Sequence, residues 1–177
     1  MSEPGPGQPG TGQPGTGPWR EAEASRLIEF GRAAALPDGG FGWLGTDGRI
    51  DPAQPRPLYI NARMTYVFAL AHLTGVTGAG ALAASGLDAL ASRYADREHG
   101  GWFASLDPAG NVLDTAKANY AHAHVLLAAS SALAAGVDGI DQARVTVPLP
   151  GVGDGGVEQR GRRLEQPGGG LGCLQGQ

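Results

Sequence analysis

One arginine stands in the middle of an otherwise apolar stretch, residues 58–74. If this stretch is helical, Tyr59 and Tyr66 share the face of Arg63, because residues three or four apart are neighbours on a helix. A guanidinium in apolar surroundings is costly unless it is paired. Arg63 therefore either makes structural bonds to a carboxylate or to loop carbonyls, or offers its N–H donors to ligand oxygens. The sequence leaves both roles open.

A second group of polar side chains lies in the nearly uncharged stretch 117–135. Tyr120 and His124 are four residues apart and share a helical face, whereas His122 points to a different neighbour. A single histidine on a helix is more often a satisfied core residue than a catalyst. The H-x-H spacing of His122 and His124 puts the two rings on different faces, so we predict no metal site here.

Four helices are needed to position these residues, and their apolar patterns alternate. The stretches 20–35 and 79–95 are apolar on one face, which predicts helices packed on one side. The stretches 58–74 and 117–135 are apolar almost all round, which predicts helices that are buried on all sides. Alternation of one-faced and enclosed helices is typical of outer and inner rings, and it predicts an all-α, incomplete (α/α)6 barrel.

An internal repeat supports this architecture. The triplet Gly39-Gly40-Phe41 recurs as Gly100-Gly101-Trp102, at an offset of 61 residues. The same offset pairs Tyr59 with Tyr120, Ala62 with Ala123, Arg63 with His124 and Gly75 with Gly136. Fixed self-similarity predicts stacked units that cannot bury their apolar faces alone. Six units of about 60 residues would close a ring, and this chain has about two of these helical hairpins.

Composition divides the chain into three parts and limits its partners. Residues 1–18 are rich in Pro and Gly and are predicted to be disordered. Residues 19–136 form the helical domain, and 137–177 are a Gly-rich irregular tail, either naturally disordered or the product of a shifted reading frame. A net charge of −4 and the lack of a basic patch argue against nucleic acid. No apolar run is long enough to span a membrane.

Cysteine usage and the N-terminus bear on the compartment. The single cysteine, Cys173, cannot form an internal disulfide, as expected for a reducing cytoplasm. The first ten residues lack the basic start and the apolar core of a signal peptide. We therefore expect a cytoplasmic protein.

Four motifs together resemble one known family. They are PDGGFGWL at 37–44, NARMTYVFALAHLTG at 61–75, HGGWFASLD at 99–107 and DTAKANYAHAHVLLAASSALAAG at 114–136. In this order and spacing, they resemble the N-acylglucosamine 2-epimerase family, and most of all its mannose isomerase and sulfoquinovose isomerase-like branch. The resemblance implies an (α/α)6 barrel that epimerises or isomerises monosaccharides without a metal or nucleotide cofactor. It also implies histidine acid/base chemistry through an enediol intermediate.

The resemblance also assigns roles to residues of this chain. Arg63 matches the family arginine that contacts sugar oxygens, and Tyr120 matches the tyrosine of the K-x-x-Y-x-H motif, which reaches the sugar. His122 matches the histidine of that motif, which we interpret as positional support, and His124 stands where the family usually has phenylalanine. The candidate substrate-binding residues are therefore Arg63, Tyr120, His122 and His124.

The catalytic histidines implied by the family have no counterpart in this chain. The family's N-x-N-M-H-x-x-E helix and two later histidines would follow Gly136, and nothing in 137–177 matches them. We therefore expect an N-terminal part of an epimerase/isomerase that is inactive by itself.

Two alternative functions stay open. One is a non-catalytic helical interaction module, able to self-associate through exposed apolar faces. The other is part of another α/α-toroid carbohydrate enzyme, such as a glycoside hydrolase, which would need two carboxylates. Asp47, Asp107 and Asp114 are placed like turn residues.

Overall fold

A computed structural model describes residues 13–137, which contain four helices and three short strands. The helices are α1 (Gly17–Arg32), α2 (Leu58–Leu73), α3 (Ala79–Ala89) and α4 (Asn119–Ala134), and a π-helical turn, Leu90–Tyr94, extends α3. The strands are β1 (Arg56–Pro57), β2 (Ser105–Leu106) and β3 (Val112–Asp114), which form an antiparallel sheet in the order β1-β2-β3. The four helices lie within a few residues of the predicted stretches. The predictions for 1–12 and 138–177 lie outside the described residues.

The repeat is reproduced in the backbone, residue by residue. Helices α2 and α4 have the same length, and each residue of α4 follows its counterpart in α2 by 61 positions. Both helices end at a glycine with positive φ, 85° at Gly75 and 65° at Gly136. The next amide donates to the carbonyl five residues earlier in both units, Val76 to Ala71 and Val137 to Ala132. Such a left-handed glycine cap satisfies the last helical carbonyls.

The Gly-Gly turns are also equivalent. All four glycines have a positive φ, between 72° and 96°, which side chains disfavour. The residue after each turn forms a β-bridge with the segment that follows the preceding helix: Phe41 pairs with Ala35, and Trp102 pairs with Ala95. The second turn is one residue longer, because Asp96 N–H bonds to Gly101 O where Leu36 N–H bonds to Gly40 O.

The helices form two layers. Helix α2 packs against α3 on one side and against α4 on another, and α1 contacts α2. The approach of α3 to α2 is close because Gly86 has no side chain: a Cβ there would lie 2.0 Å from Thr65 Oγ1. Asn61, which is 1% exposed, joins the layers, since its Nδ2 donates to Gly86 O and its Oδ1 accepts from Phe41 N–H. Two adjoining apolar clusters make up the core.

The prediction that α2 and α4 are enclosed on all sides is wrong for the described residues. On α2, Val67, Leu70 and Leu73 are between 38% and 60% exposed, and on α4 the same holds for Leu126, Leu127 and Leu133 at 41–50%. Helix α1 buries no residue fully. The reason is geometric: within 13–137 the row of units is open at both ends, so each inner helix has neighbours on some sides only.

Candidate functional site

Arg63 lies near the middle of α2 with its side chain exposed to solvent. Its guanidinium makes no hydrogen bond or ion pair with any residue between 13 and 137. Arg63 therefore makes neither of the predicted structural contacts, an ion pair or bonds to loop carbonyls, within this part of the chain. The neighbouring residues Ala62 and Thr65 are fully buried, so the polar group belongs to one side of the helix only. Arg63 is thus free to donate to a ligand.

Tyr120 and His124 touch each other on α4, as their spacing predicts. The two ring centroids are 4.7 Å apart and the rings meet edge to face, at 81°. Tyr120 is 62% exposed, which is unusual for an aromatic side chain on a largely apolar helix. Tyr59, on α2, is the repeat counterpart of Tyr120, and its ring centroid lies 6.2 Å away. The exposed ring of Tyr120 and the half-buried ring of Tyr59 therefore bridge the two inner helices, and Arg63 shares the helical face of Tyr59.

His122 is turned away from this pair, toward the Gly-Gly turn of its own unit. Its Nε2 lies 3.1 Å from the backbone N of Trp102, and its ring meets the Trp102 ring edge to face at 5.4 Å. Nε2 also lies 3.1 Å from the Trp102 carbonyl oxygen, so it accepts from the amide in one neutral tautomer and donates to the carbonyl in the other. In the first unit, the counterpart residue Asn61 accepts a hydrogen bond from Phe41 N–H with its Oδ1. The Nε2 atom of His122 is therefore already hydrogen-bonded to the backbone of its own unit.

The lysine that begins the K-x-x-Y-x-H motif braces the same turn. Lys117 Nζ donates to Asp96 Oδ2 at 2.7 Å and lies 4.4 Å from the centre of the Phe103 ring. Asp96 also accepts from the backbone N–H groups of Glu98 and His99. The Lys117 hydrogen bond, with the two amides, lowers the pKa of Asp96 to about 2. This cluster fixes the loop that carries Gly100 and Gly101.

Of the three aspartates predicted to be turn residues, Asp47 lies in a turn, Asp107 directly precedes one, and Asp114 ends strand β3. Asp47, Asp107 and Asp114 each accept a backbone N–H two to four residues ahead, from Arg49, Asn111 and Ala116. Such bonds are the usual role of aspartate in turns. A hydrolase with two carboxylates across a cleft gains no support from them.

The structure brings Tyr120 and His124 together, places Arg63 on the adjacent helix, and separates His122 from them. Two further residues were not selected from the sequence. Asn61 could have been found from the repeat, because it precedes His122 by 61 positions. Asp96 carried no such signal, since its partner Lys117 is 21 residues away. Within residues 13–137 there is no group of three potential metal ligands, and no helix there is long and apolar enough to cross a membrane.

Comparison with known proteins agrees with this geometry. The family model for N-acylglucosamine 2-epimerase matches residues 39–147. A D-mannose isomerase from Thermobifida fusca is 51% identical over 121 residues, which are 68% of this chain and 30% of that protein. A D-mannose isomerase from Pseudomonas cannabina pv. alisalensis is 44% identical over 119 residues, covering 67% of this chain and 28% of that protein.

Solved structures show the same fold relationship. A crystal structure of D-mannose isomerase superimposes with a TM-score of 0.65 at 28% identity, covering 71% of this chain and 33% of that chain. The cellobiose 2-epimerase from Spirochaeta thermophila gives a TM-score of 0.58 at 26% identity, covering 66% of this chain and 29% of that chain. The all-α fold is thus an incomplete α/α toroid, as predicted. The chain spans about 30% of the length of the curated relatives it matches, and it belongs to the N-acylglucosamine 2-epimerase family of sugar epimerases and isomerases.

Proposed function

We propose that this chain supplies the monosaccharide-binding N-terminal part of an aldose epimerase or isomerase and is inactive by itself. The observation that carries the proposal is that Arg63 on α2 and Tyr120 on the adjacent α4 are both exposed, with the half-buried rings of His124 and Tyr59 against Tyr120. Because the Arg63 side chain is exposed and makes no bond within 13–137, its N–H donors are available to the oxygens of a ligand.

Each residue of the group suits one feature of a sugar. The N–H donors of Arg63 fit hydroxyl or carbonyl oxygens, and their charge would stabilise an oxygen that becomes negative as an enediol forms. The ring of Tyr120 fits the apolar C–H face of a sugar, and its hydroxyl can bond to a sugar hydroxyl. His124, with its ring edge against Tyr120, fixes the tyrosine and adds a further polar atom. His122 acts as positional support, because its Nε2 is bonded to the backbone of Trp102.

The reaction of the whole protein is aldose–ketose isomerisation or C2 epimerisation. A histidine base would take the proton from C2 of the open-chain sugar while an acid protonates O1, giving an enediol. A proton returned to C1, with loss of the O2 proton, gives the ketose; a proton returned to the opposite face of C2, with loss of the O1 proton, gives the epimer. None of the four candidate residues is assigned as that base. Because no residue in 137–177 matches the family's later histidines, we expect no turnover from this chain.

Binding and turnover can be tested separately. In ¹H–¹⁵N NMR titrations with D-mannose, we expect the amide signals of α2 and α4 to shift with millimolar affinity. Arg63→Leu should weaken binding at least about fivefold. The matched control is Arg49→Leu, since Arg49 is also exposed and its side chain makes no bond within 13–137. Equal binding by both variants would refute the assignment of Arg63.

A turnover assay completes the test. The full chain is incubated with D-mannose, and D-fructose is measured. Interconversion at rates typical of enzymes, about 1 s⁻¹ or more, would contradict the expected inactivity but leave the binding assignment standing.

A further inference from the structure

The motif that carries Tyr120 occurs twice in the chain. Residues 117–124 read KANYAHAH, and residues 56–63, which are 61 positions earlier, read RPLYINAR. Each copy has a basic residue, a tyrosine three residues later, and a histidine or asparagine two residues after the tyrosine. The role of the basic residue that begins each copy, Arg56 or Lys117, follows from its contacts.

Both basic residues bond to an aspartate in the loop of their own Gly-Gly turn. Arg56 Nη1 donates to Asp38 Oδ2 at 2.9 Å, and Lys117 Nζ donates to Asp96 Oδ2 at 2.7 Å. Each bridge has a shielded member, since the Arg56 side chain is 12% exposed and that of Asp96 is 7% exposed. The two units thus make the same kind of bridge with different cations, which indicates a shared role.

In the second unit, two bonds to the loop of the Gly-Gly turn bracket Tyr120. Lys117 bonds to Asp96 at the start of this loop. Nε2 of His122 is bonded to the backbone of Trp102 at its end. Tyr120 lies between Lys117 and His122 in the sequence and is 62% exposed, so burial does not fix the direction of its ring. The two bonds instead fix the helical turn that carries the tyrosine.

The start of α4 has few other contacts. All residues from 111 to 120 are exposed, and the helix has neither a side-chain cap at Ala118 nor an acidic residue in its first turn. Helix ends without a cap fray easily. Among the described residues, Lys117 makes the only side-chain hydrogen bond that joins 115–120 to another segment of the chain. Loss of this bond would therefore release the first turn of α4 from the loop.

The ammonium group of Lys117 is bound to the fold. It donates to Asp96, and it lies 4.4 Å from the centre of the Phe103 ring, within the range of a cation–π interaction. The effect of Lys117 on a ligand therefore passes through Tyr120.

We propose that Lys117 is a positioning residue of the sugar site. Its bridge to Asp96 fixes the first turn of α4 and so holds the ring of Tyr120 beside that of Tyr59, at 6.2 Å between ring centroids. The inference rests on the proposed function for sugar binding by Tyr120, but the orientation of the ring follows from the contacts within 13–137. Because Arg56 makes the equivalent bridge in the first unit, arginine should serve at position 117 as well.

The ring contacts of Tyr120 report its orientation directly. In NOE spectra of the full 177-residue chain, we expect cross-peaks from the Tyr120 ring to the rings of Tyr59 and His124. Lys117→Met should abolish the cross-peak to Tyr59, because that contact joins two helices. The same variant should keep the cross-peak to His124, which lies in the same helix. Lys117→Arg should keep both cross-peaks.

Mannose binding measures the consequence for the site. In the NMR titration with D-mannose, Lys117→Met should weaken binding at least about threefold, as expected for the loss of a charge-assisted bond, and Lys117→Arg should stay within about twofold of the wild type. The matched control is Arg97→Met. Arg97 adjoins Asp96 in the sequence, but its side chain bonds only to the carbonyl of Ala91, at 3.3 Å, within 13–137.

A second variant removes the bridge from the other side. Asp96→Asn keeps the Oδ1 acceptor for the amides of Glu98 and His99 and loses the charged bond from Lys117. It should change the Tyr59 cross-peak and mannose binding as Lys117→Met does. The double variant should bind no more weakly than either single variant, because both act through one bond. Circular dichroism checks that each variant keeps the helical content of the wild type.

Two results would overturn the proposal. One is a cross-peak between Tyr120 and Tyr59 that is absent from the wild type or unchanged in Lys117→Met. The other is mannose binding by Lys117→Met that equals binding by Arg97→Met. If the wild-type chain does not bind mannose and the cross-peak responds as expected, the proposed function fails and the orientation of Tyr120 by Lys117 stands.

Discussion

Replacing Gly86 by alanine tests the closest contact between the two helix layers. A Cβ at this position would lie 2.0 Å from Thr65 Oγ1 and 2.8 Å from Phe41 Cε2. Neither neighbour can move away easily. Thr65 is fully buried and bonded to Asn61 O at 2.8 Å, and Phe41 is stacked on Phe68 with centroids 5.4 Å apart. Either α3 shifts outward, or Thr65 rotates and loses its bond.

The expected magnitude follows from three opposing contributions. Alanine is favoured over glycine in a helix interior by up to about 1 kcal/mol. Overpacking of a rigid core costs about 1–3 kcal/mol, and the lost hydroxyl bond costs about 1 kcal/mol. We expect Gly86→Ala to lower the free energy of unfolding by about 2 kcal/mol. Thr65→Ala alone should cost about 1 kcal/mol, and the double variant less than the sum, with a coupling of about 1 kcal/mol.

Urea denaturation followed by circular dichroism at 222 nm measures these values on the full chain. Gly31→Ala in α1 is the matched control, because its Cβ would meet only the flexible end of Met64, 3.3 Å away, and Phe68 at 3.7 Å. That variant should be as stable as the wild type or more stable. The close packing of α3 on α2 would be refuted if Gly86→Ala were as stable as the wild type. It would also be refuted if the effects of Gly86→Ala and Thr65→Ala on the free energy of unfolding were additive.

Two further predictions concern the turn of the second unit. His122→Asn should keep the free energy of unfolding within about 0.5 kcal/mol of the wild-type value, because Asn61 makes the equivalent backbone bond in the first unit. His122→Leu removes the bond to the backbone of Trp102, a 6% exposed residue, and should cost about 1–3 kcal/mol in urea denaturation. Equal stability of the two variants would contradict the role assigned to Nε2. The pKa of Asp96 is lowered from its ordinary 3.8 to about 2, so its contribution to stability is present above pH 4 and is lost as the pH falls toward 2. Asp96→Asn should therefore lose less stability than the wild type between pH 5 and pH 2.5, and parallel acid-denaturation curves would show that Lys117 does not stabilise the charged form.

The sequence predicts the helices well because their apolar periodicity is a local property. Periodicity does not reveal that the last turn of the 79–95 stretch is π-helical, nor that Tyr94 OH donates to Arg56 O, 38 residues away. It also overestimates burial of α2 and α4. An inner helix carries the pattern of a complete ring whether or not its neighbours are present, so the exposed Leu70 and Leu126 could not be anticipated from their own segments.

The site residues were predictable to the extent that one helix contains them. Tyr120 and His124 are four apart, and their contact follows from helical spacing. The approach of Tyr59 to Tyr120 depends on how α2 packs against α4, which spacing alone does not fix. Likewise, the bond from Trp102 N–H to His122 spans 20 residues and depends on two left-handed glycines that set the direction of the turn.

The internal repeat separates architectural residues from residues that are available for binding. Where both units make the same contact with different side chains, as Asn61 and His122 do with the amide after each Gly-Gly pair, the shared contact identifies the role as structural. Arg63 and His124 also occupy equivalent positions, yet within 13–137 no shared backbone contact explains them. A position that keeps a polar side chain in both units without a common structural bond is one where a ligand is the better explanation. In the proposed function, Arg63 and His124 are therefore the groups that face a sugar, and His122 is not.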